Sequence, residues 1–299
     1  IDTYNPFKIK SEERFNEVAL EIFQFQYQNN LVYRKYVDGF GRNTPLDYSE
    51  IPFLPIEFFK TQKVTCGGYV FDLEFNSSGT SGANSTHHVK DKIIYESSFL
   101  NGIQLAYPDI KNKVVLALLP NYLEQGSSSL VYMVDSLIKR SKFEESGFYL
   151  SDIDALISVL EELEQRKQPT LLLGVSYALL DLAEKKNLKL RYTNVIETGG
   201  MKGRRKEMVR SELHWVLSNS LGVSEIHSEY GMTELLSQAY SKGNGIFNCP
   251  PWMKVQIRDT NDPFEFLPNG RAGGINVIDL ANIYSCSFKT SGIAWSWCI

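Results

Sequence analysis

Six consecutive apolar residues, Val114-Val115-Leu116-Ala117-Leu118-Leu119, stand between Lys113 and Pro120. A strand with one wet face alternates, and a surface helix keeps a polar stripe. An unbroken apolar run of this length marks a strand buried on both faces. Such strands belong to parallel sheets covered by helices on each side. The run is also far too short to span a bilayer.

The middle of the chain repeats this theme. Short strands are predicted at Thr170–Leu173, at Asn194–Glu197 and at Ser224–His227. Helices are predicted over Glu96–Ala106, Ser128–Lys139, Asp152–Gln165, Ser176–Lys186 and Arg204–Asn219. Nearer the start, Phe15, Val18, Ala19, Ile22 and Phe23 recur at helical spacing after Ser11, a good cap, with Glu12 and Glu13 in the first turn. An irregular, proline-containing stretch follows, and Tyr69–Phe75 alternates as a strand. After Lys242 the chain turns rich in Gly, Pro and Asn, with strand-like pieces at Trp252–Arg258 and Gly274–Ile278. The expected fold class is therefore α/β, with parallel-rich sheets flanked by helices and a more β-rich last third.

At 299 residues and 43% hydrophobic, the chain can build one large domain or two subdomains. It carries 31 basic against 35 acidic residues, a net charge of -4. That balance argues against a nucleic-acid binder, which shows a basic face. It does not argue against a nucleotide, whose site relies on local backbone dipoles and a metal. Cys66, Cys249, Cys286 and Cys298 form no CxxC pair, so neither a zinc site nor a disulfide framework is expected. Free thiols, together with a start that lacks a basic stretch and an apolar run, predict a cytoplasmic protein with no membrane span.

Three segments carry the chemistry. Ser77-Ser78-Gly79-Thr80-Ser81-Gly82 follows a predicted strand and combines two glycines with four hydroxyls. Such a loop can turn tightly and present consecutive N–H groups to an anion, which suits a polyphosphate. It is not a Walker A loop, because the G-K-[ST] ending is missing. Composition alone fits a surface loop equally well. The second segment is Ser228-Glu229-Tyr230-Gly231-Met232-Thr233-Glu234, at the carboxyl end of a predicted strand, where α/β sheets bind ligands. Thr233 offers a hydroxyl and Glu234 a hard oxygen ligand for Mg2+. The same two residues would also serve as cap and first-turn acid of a helix. The third segment, Glu197-Thr198-Gly199-Gly200, could let a flat adenine lie on bare backbone, or could simply turn the chain. His214 and His227 are read as structural histidines. The basic run Lys202-Gly203-Arg204-Arg205-Lys206 is read as a helix start, in mild conflict with the helix dipole.

Together, in this order, the three segments resemble the adenylate-forming superfamily of acyl-CoA synthetases, adenylation domains and luciferases. The resemblance implies that Ser77 to Gly82 holds ATP phosphates, that Tyr230, Gly231 and Thr233 line the nucleotide, that Thr233 and Glu234 are catalytic with Glu234 binding Mg2+, and that Gly199 and Gly200 lie near the adenine. A closer resemblance runs through Ile51-Pro52-Phe53-Leu54-Pro55-Ile56-Glu57-Phe58-Phe59-Lys60, Leu119-Pro120-Asn121-Tyr122-Leu123-Glu124, Ser128-Ser129-Leu130-Val131-Tyr132-Met133 and Gly199-Gly200-Met201-Lys202-Gly203-Arg204. These look like the LuxE-like acyl-protein synthetases, the long-chain-fatty-acid–protein ligase type. The resemblance implies ATP and Mg2+ as cofactors, a carboxylic and specifically a fatty acid as substrate, and a thiol of a protein cysteine, carrier protein or coenzyme A as acyl acceptor.

The chain departs from the family's pattern in three places. The phosphate loop continues Ala83-Asn84-Ser85-Thr86-His87-His88 rather than Pro-Lys, leaving Lys90 or a histidine to supply the cation. LuxE-like relatives carry a Thr-Asp-Asp-x-Gly segment, with the ribose-binding acid, after the strand matching Asn282 to Phe288. Here Phe288-Lys289-Thr290-Ser291-Gly292-Ile293-Ala294-Trp295-Ser296-Trp297-Cys298-Ile299 contains no acid. The resemblance also implies a small C-terminal domain with a lysine, which the 299 residues are expected not to include. The expected division is an ATP- and acyl-binding domain over 1–285 and an atypical tail over 286–299, truncated or frame-shifted. Beside acyl activation and transfer to a thiol stand an aryl- or acyl-CoA ligase activity, a non-catalytic nucleotide- or acyl-binding remnant, and an acyltransferase subunit completed by a partner.

Overall fold

The computed structural model describes residues 5–77, 84–119, 127–150, 152–201, 203–268 and 270–296. The chain divides into two compact units. The first gathers Ile1–Gly102, Gly231–Gln238 and Asn248–Ile299; the second gathers Ile103–Tyr230 and Ala239–Phe247.

The first unit opens with helix α1 (Glu12–Asn29), capped by the Ser11 hydroxyl, which accepts from the Arg14 N–H. Its apolar stripe is the expected one: Phe15, Val18, Ala19, Ile22 and Phe23 are buried, and Gln26 joins them. The stretch expected to be irregular holds a second helix, α2 (Leu31–Phe40). Asn30 ends α1 and caps α2 at once, accepting from the Tyr33 N–H. Strand β1 (Leu54–Pro55) and the single turn α3 (Phe58–Thr61) follow. β2 (Leu73–Asn76) and β3 (Thr86–Val89) form an antiparallel hairpin, and α4 (Lys92–Ala106) leaves it.

In the second unit β4 (Val114–Leu118) is buried at every position, as its unbroken apolar run requires. β5 (Gly147–Phe148) and β6 (Thr170–Val175) flank it in parallel. β7 (Thr193–Thr198) pairs parallel with β6, and β8 (His227–Tyr230) parallel with β7. β9 (Ala239–Ser241) is antiparallel to β8, and β10 (Phe247–Asn248) completes a seven-stranded sheet ordered β10-β9-β8-β7-β6-β4-β5. Helices α5 (Ser129–Arg140), α6 (Ile153–Gln165), α7 (Ser176–Lys185) and α8 (Arg210–Leu221) supply the crossovers. Asp152 caps α6, accepting from the Ala155 N–H at 3.0 Å. The α/β architecture with a parallel-rich sheet is thus the observed one.

α4 starts four residues earlier than expected, at Lys92, and α8 differs most from its expected span. α8 begins at Arg210, six residues later than Arg204. The basic run therefore lies outside the helix, and its conflict with the dipole disappears. Arg205 instead forms ion pairs with Asp181 and Glu184 on α7, and Arg204 lies over the Tyr177 ring.

The first unit closes with β11 (Met253–Arg258), β12 (Ala272–Asp279) and β13 (Phe288–Ser296), in a sheet ordered β1-β13-β12-β11. β12 is antiparallel to both β11 and β13, matching the expected β-rich last third. Residues 282–287, expected within a strand, form the turn between β12 and β13. β13 is an interior strand, paired with β1 on one side and β12 on the other. The Phe288 ring contacts Phe23, Tyr33 and Phe53, joining α1, α2 and this sheet in one aromatic cluster.

Gly222 ends α8 at φ +67°, a left-handed conformation that suits glycine. A Cβ there would lie 2.6 Å from the Leu188 carbonyl oxygen and 2.8 Å from Lys189 Cα, both backbone atoms that cannot step aside. Gly222→Ala is expected to destabilise the second unit by about 1–3 kcal/mol, from left-handed strain plus the clash. Denaturant unfolding reads this directly. A midpoint equal to wild type would show that the Leu188 backbone yields freely.

Candidate functional site

The predicted phosphate loop joins the two strands of the β2–β3 hairpin. Its arms are closed by named bonds: the Ser77 N–H donates to the Ser85 carbonyl at 2.9 Å, the Ser85 N–H to the Ser77 hydroxyl at 2.8 Å, and Thr86 Oγ1 to Asn76 Oδ1 at 2.8 Å. Ser77 thus fastens the root of the loop. Ser78, Gly79, Thr80, Ser81 and Gly82 lie outside the described residues. Of the cations considered for this loop, Lys90 stacks its ammonium between the rings of Tyr69 (3.6 Å) and Tyr284 (4.0 Å). His88 lies against Phe71 and faces Glu74 at 3.1 Å.

Thr233 and Glu234 do not begin a helix. Residues 231–238 form a turn, closed by one internal bond from the Leu235 N–H to the Met232 carbonyl at 3.0 Å and held otherwise by side chains of the first unit. The Thr233 carbonyl accepts from His87 Nδ1 at 2.8 Å. The Glu234 carbonyl accepts from Asn282 Nδ2 at 2.8 Å. Leu236 and Ser237 donate their N–H groups to Asp279 Oδ2 at 2.7 and 3.1 Å, and the Ser237 hydroxyl donates to Asp279 Oδ1 at 2.6 Å. The Ala281 N–H also donates to Asp279 Oδ1, at 3.2 Å. Trp252 Nε1 donates to the Ser237 hydroxyl at 3.0 Å. Glu234 is buried at 5% exposure. Among the described residues neither its carboxylate nor the Thr233 hydroxyl takes a hydrogen bond. The backbone is held and the side-chain oxygens are unspent.

His87 is wholly buried, and burial together with nearby Lys289 pushes its pKa down to about 3. The ring is therefore neutral, with Nδ1 carrying the proton donated to Thr233. Lys289, on β13, is itself fully buried. Burial lowers its pKa, while Asp279, Cys286 and Glu234 oppose that shift. Its Nζ donates to the Cys286 carbonyl. No group of three or more His, Cys, Asp or Glu residues able to hold a metal occurs among the described residues. A nucleotide's Mg2+ does not need one, since a single carboxylate plus substrate phosphates suffices. Glu234, with its oxygens uncommitted, fits that requirement.

In the second unit, Gly199, Gly200 and Tyr230 sit at the carboxyl ends of the neighbouring strands β7 and β8. Gly199 turns the chain at φ +68°, and its carbonyl accepts from the Ser176 hydroxyl at 3.2 Å. A Cβ on Gly200 would meet nothing within 4 Å, so open space lies against that backbone. The Tyr230 ring meets Phe247 edge-on. Gly231, exposed, is where the chain passes back to the first unit. Glu197 is buried and faces Ser176, His214 and Arg210. His227 Nδ1 pairs with the Tyr107 hydroxyl at 2.8 Å. Both histidines hold the structure together, as expected.

Sequence reasoning named Thr233 and Glu234 as candidates but not the residues that hold their backbone, namely His87, Asp279 and Asn282. No local signal marks these three, although His87 lies only five residues beyond Gly82. Gln26, on α1, is a further support that no sequence pattern marks. Its amide Nε2 donates to the Asn282 and Ile283 carbonyls, and its Oε1 accepts from the Ser287 N–H, fixing the turn that carries Asn282.

Comparison with known proteins bears on the fold. Among solved structures, 106 chains match. The crystal structure of 2-hydroxyisobutyryl-CoA ligase in the postadenylation state, in complex with 2-HIB-AMP, aligns with a TM-score of 0.68 at 12% identity, covering 99% of this chain and 69% of that one. An open conformation of the same ligase, in complex with 2-HIB-AMP and CoA, gives 0.67 at 11% identity, covering 99% and 76%. No family model and no curated protein sequence matches the chain. Its fold is that of the N-terminal domain of adenylate-forming enzymes. No helix among the described residues is long and apolar enough to cross a membrane.

Burial raises the Glu229 carboxyl to about 7, with the Thr198 hydroxyl lowering it and Glu197 raising it. The fold thus keeps a proton that the unfolded chain releases near its ordinary value of 4.5. This contribution favours the fold below that value and is lost as pH rises through 7. Between about pH 5.5 and pH 8, wild type should lose more thermal stability than Glu229→Gln, by on the order of 1–3 kcal/mol. Melting curves at the two pH values decide the point. Parallel losses would mean that Glu229 is ionised in the fold.

Proposed function

We propose that this protein activates a carboxylic acid with ATP. A carboxylate oxygen attacks the α-phosphorus, the bond to the β-phosphate oxygen breaks, and pyrophosphate leaves an acyl-adenylate. The acyl group then passes to a thiol, with AMP as leaving group. The observation that carries this reading is the Thr233–Glu234 turn: a buried carboxylate and a hydroxyl that take no hydrogen bond among the described residues, on a backbone held at the Thr233 and Glu234 carbonyls and the Leu236 and Ser237 amides. The ligase-type fold sets that turn in a chemical context.

The reaction needs no nucleophilic side chain. Charge accumulates on phosphate oxygens, so positioning and electrostatic stabilisation supply the rate. The Thr233 hydroxyl would donate to a phosphate oxygen, and Glu234 would hold Mg2+. When bound, Mg2+ would neutralise charge developing on the phosphates. Ser77 to Gly82 would cradle the phosphates on the β2–β3 hairpin, and Gly199 and Gly200 would offer bare backbone to the adenine. Tyr230 and Gly231 would line the nucleotide. We assign residues 1–285 to this ATP- and acyl-binding body.

The finer reading follows the LuxE-like resemblance: a fatty acid as substrate and a protein or carrier thiol as acceptor, in the cytoplasm. Coenzyme A is the competing acceptor, and the ligase of similar fold was crystallised with it. ATP–pyrophosphate exchange across a panel of carboxylic acids, followed by transfer to each thiol, separates these readings. Exchange should depend on one acid class. Glu234→Gln should slow it by roughly 10- to 1000-fold, as expected for losing one electrostatic element. Full exchange in that variant would remove Glu234 from the reaction.

A further inference from the structure

The turn at 231–238 has one internal backbone bond, from the Leu235 N–H to the Met232 carbonyl at 3.0 Å, yet it carries a hydroxyl and a carboxylate that take no hydrogen bond among the described residues. Something else must hold it. Three side chains do so, arriving from two directions. His87 comes from β3, the strand that leaves the loop hairpin, and holds the Thr233 carbonyl. Asn282 comes from the turn after β12 and holds the Glu234 carbonyl. Asp279, the last residue of β12, takes both the Leu236 and Ser237 N–H groups. The three also touch one another's segments: His87 Nε2 lies 3.2 Å from Asn282 Oδ1, and the Asp279 carboxylate spans to Ala281 on the way to Asn282.

The arrangement has a consequence for chemistry. Carbonyls of successive residues, Thr233 and Glu234, are drawn to donors on separate elements. That fixes the peptide planes on both sides of Glu234, and with them the direction of its Cα–Cβ bond. A ligand-binding carboxylate held this way needs no reorganisation on meeting its cation. His87 adds a mechanical link, because the strand carrying it begins one residue after Ser85, whose amide closes the root of the loop.

We propose that His87, Asn282 and Asp279 are positioning residues that fix the Thr233–Ser237 backbone so that Thr233 and Glu234 are presented to Mg2+-ATP. The proposal rests on the adenylation reading above. It assigns these three residues no contact with the nucleotide. They act through the turn.

The test is a binding cycle by titration calorimetry, with ATP in the presence and absence of Mg2+, on folded wild type, Asn282→Asp, Glu234→Gln and the double variant. Asn282→Asp keeps shape but loses the donor to the Glu234 carbonyl. It should weaken Mg2+-ATP binding roughly 10- to 100-fold, the range for losing a residue that orients a metal ligand. Mg2+-free ATP should bind the variant within about 2-fold of wild type. In the Glu234→Gln background the same change should cost less than about 2-fold more, because the two residues act as one unit. His87→Leu should weaken Mg2+-ATP binding in the same way. His87→Gln, whose amide can still donate to the Thr233 carbonyl, should recover most of it. Asn282→Asp and His87→Leu binding Mg2+-ATP like wild type, or effects that add in the cycle, would overturn the positioning role alone. Loss of the fold in both variants would make the residues folding elements and overturn it equally. Wild type that binds no nucleotide would sink the adenylation reading and this inference with it.

Discussion

The Asp279 carboxylate is the constraint on which the candidate site depends. It has no exposed surface and accepts four hydrogen bonds, from the Leu236, Ser237 and Ala281 amides and the Ser237 hydroxyl. A buried carboxylate is costly unless its lone pairs are filled. Here the chain fills them with amides that a turn would otherwise leave unpaired. Cost and need cancel, and the turn acquires one conformation. Trp252 extends the network, donating to the same serine hydroxyl and to Ser98. Lys289 lies close enough for Asp279 to oppose the fall that burial imposes on its pKa.

From that anchor the site can be followed outward. Gln26 of α1 fixes the 282–287 turn, Asn282 in that turn holds Glu234, and His87 holds Thr233. The groups of this segment that pin it are its backbone and the Ser237 hydroxyl, met by side chains from outside it. The Thr233 hydroxyl and the Glu234 carboxylate are left over. A protein that merely needed a stable turn could have used apolar residues there. The second unit contributes a different resource: a parallel-rich sheet whose strand β7 runs into a glycine pair, with open space against the Gly200 backbone.

Much of the fold could be read in the sequence because its signals are local. The apolar run of β4, the stripe of α1 and the caps at Ser11 and Asp152 all depend on residues within one or two turns of each other. α2 was missed because Asn30 both ends one helix and caps the next, so the join resembles a loop. β13 was missed because Lys289, Thr290 and Ser291 are polar residues buried in an interior strand, where an apolar pattern would be expected. The motif at Thr233 and Glu234 was legible by type, but its turn was not, because the bonds that prevent a helix come from afar. His87 bonds across 146 residues to Thr233, and Asp279 across 43 to Leu236. No periodicity reports contacts at that distance.

The central claim is that the pinned turn serves acyl-adenylate formation. It is tested most directly by incubating wild-type protein with ATP, Mg2+ and single carboxylic acids and following the nucleotide products by mass spectrometry. The account predicts an acyl-AMP from one acid class, with one pyrophosphate released per adenylate formed. ATP that is bound but converted only to ADP and phosphate, or left unchanged with every acid, would contradict it.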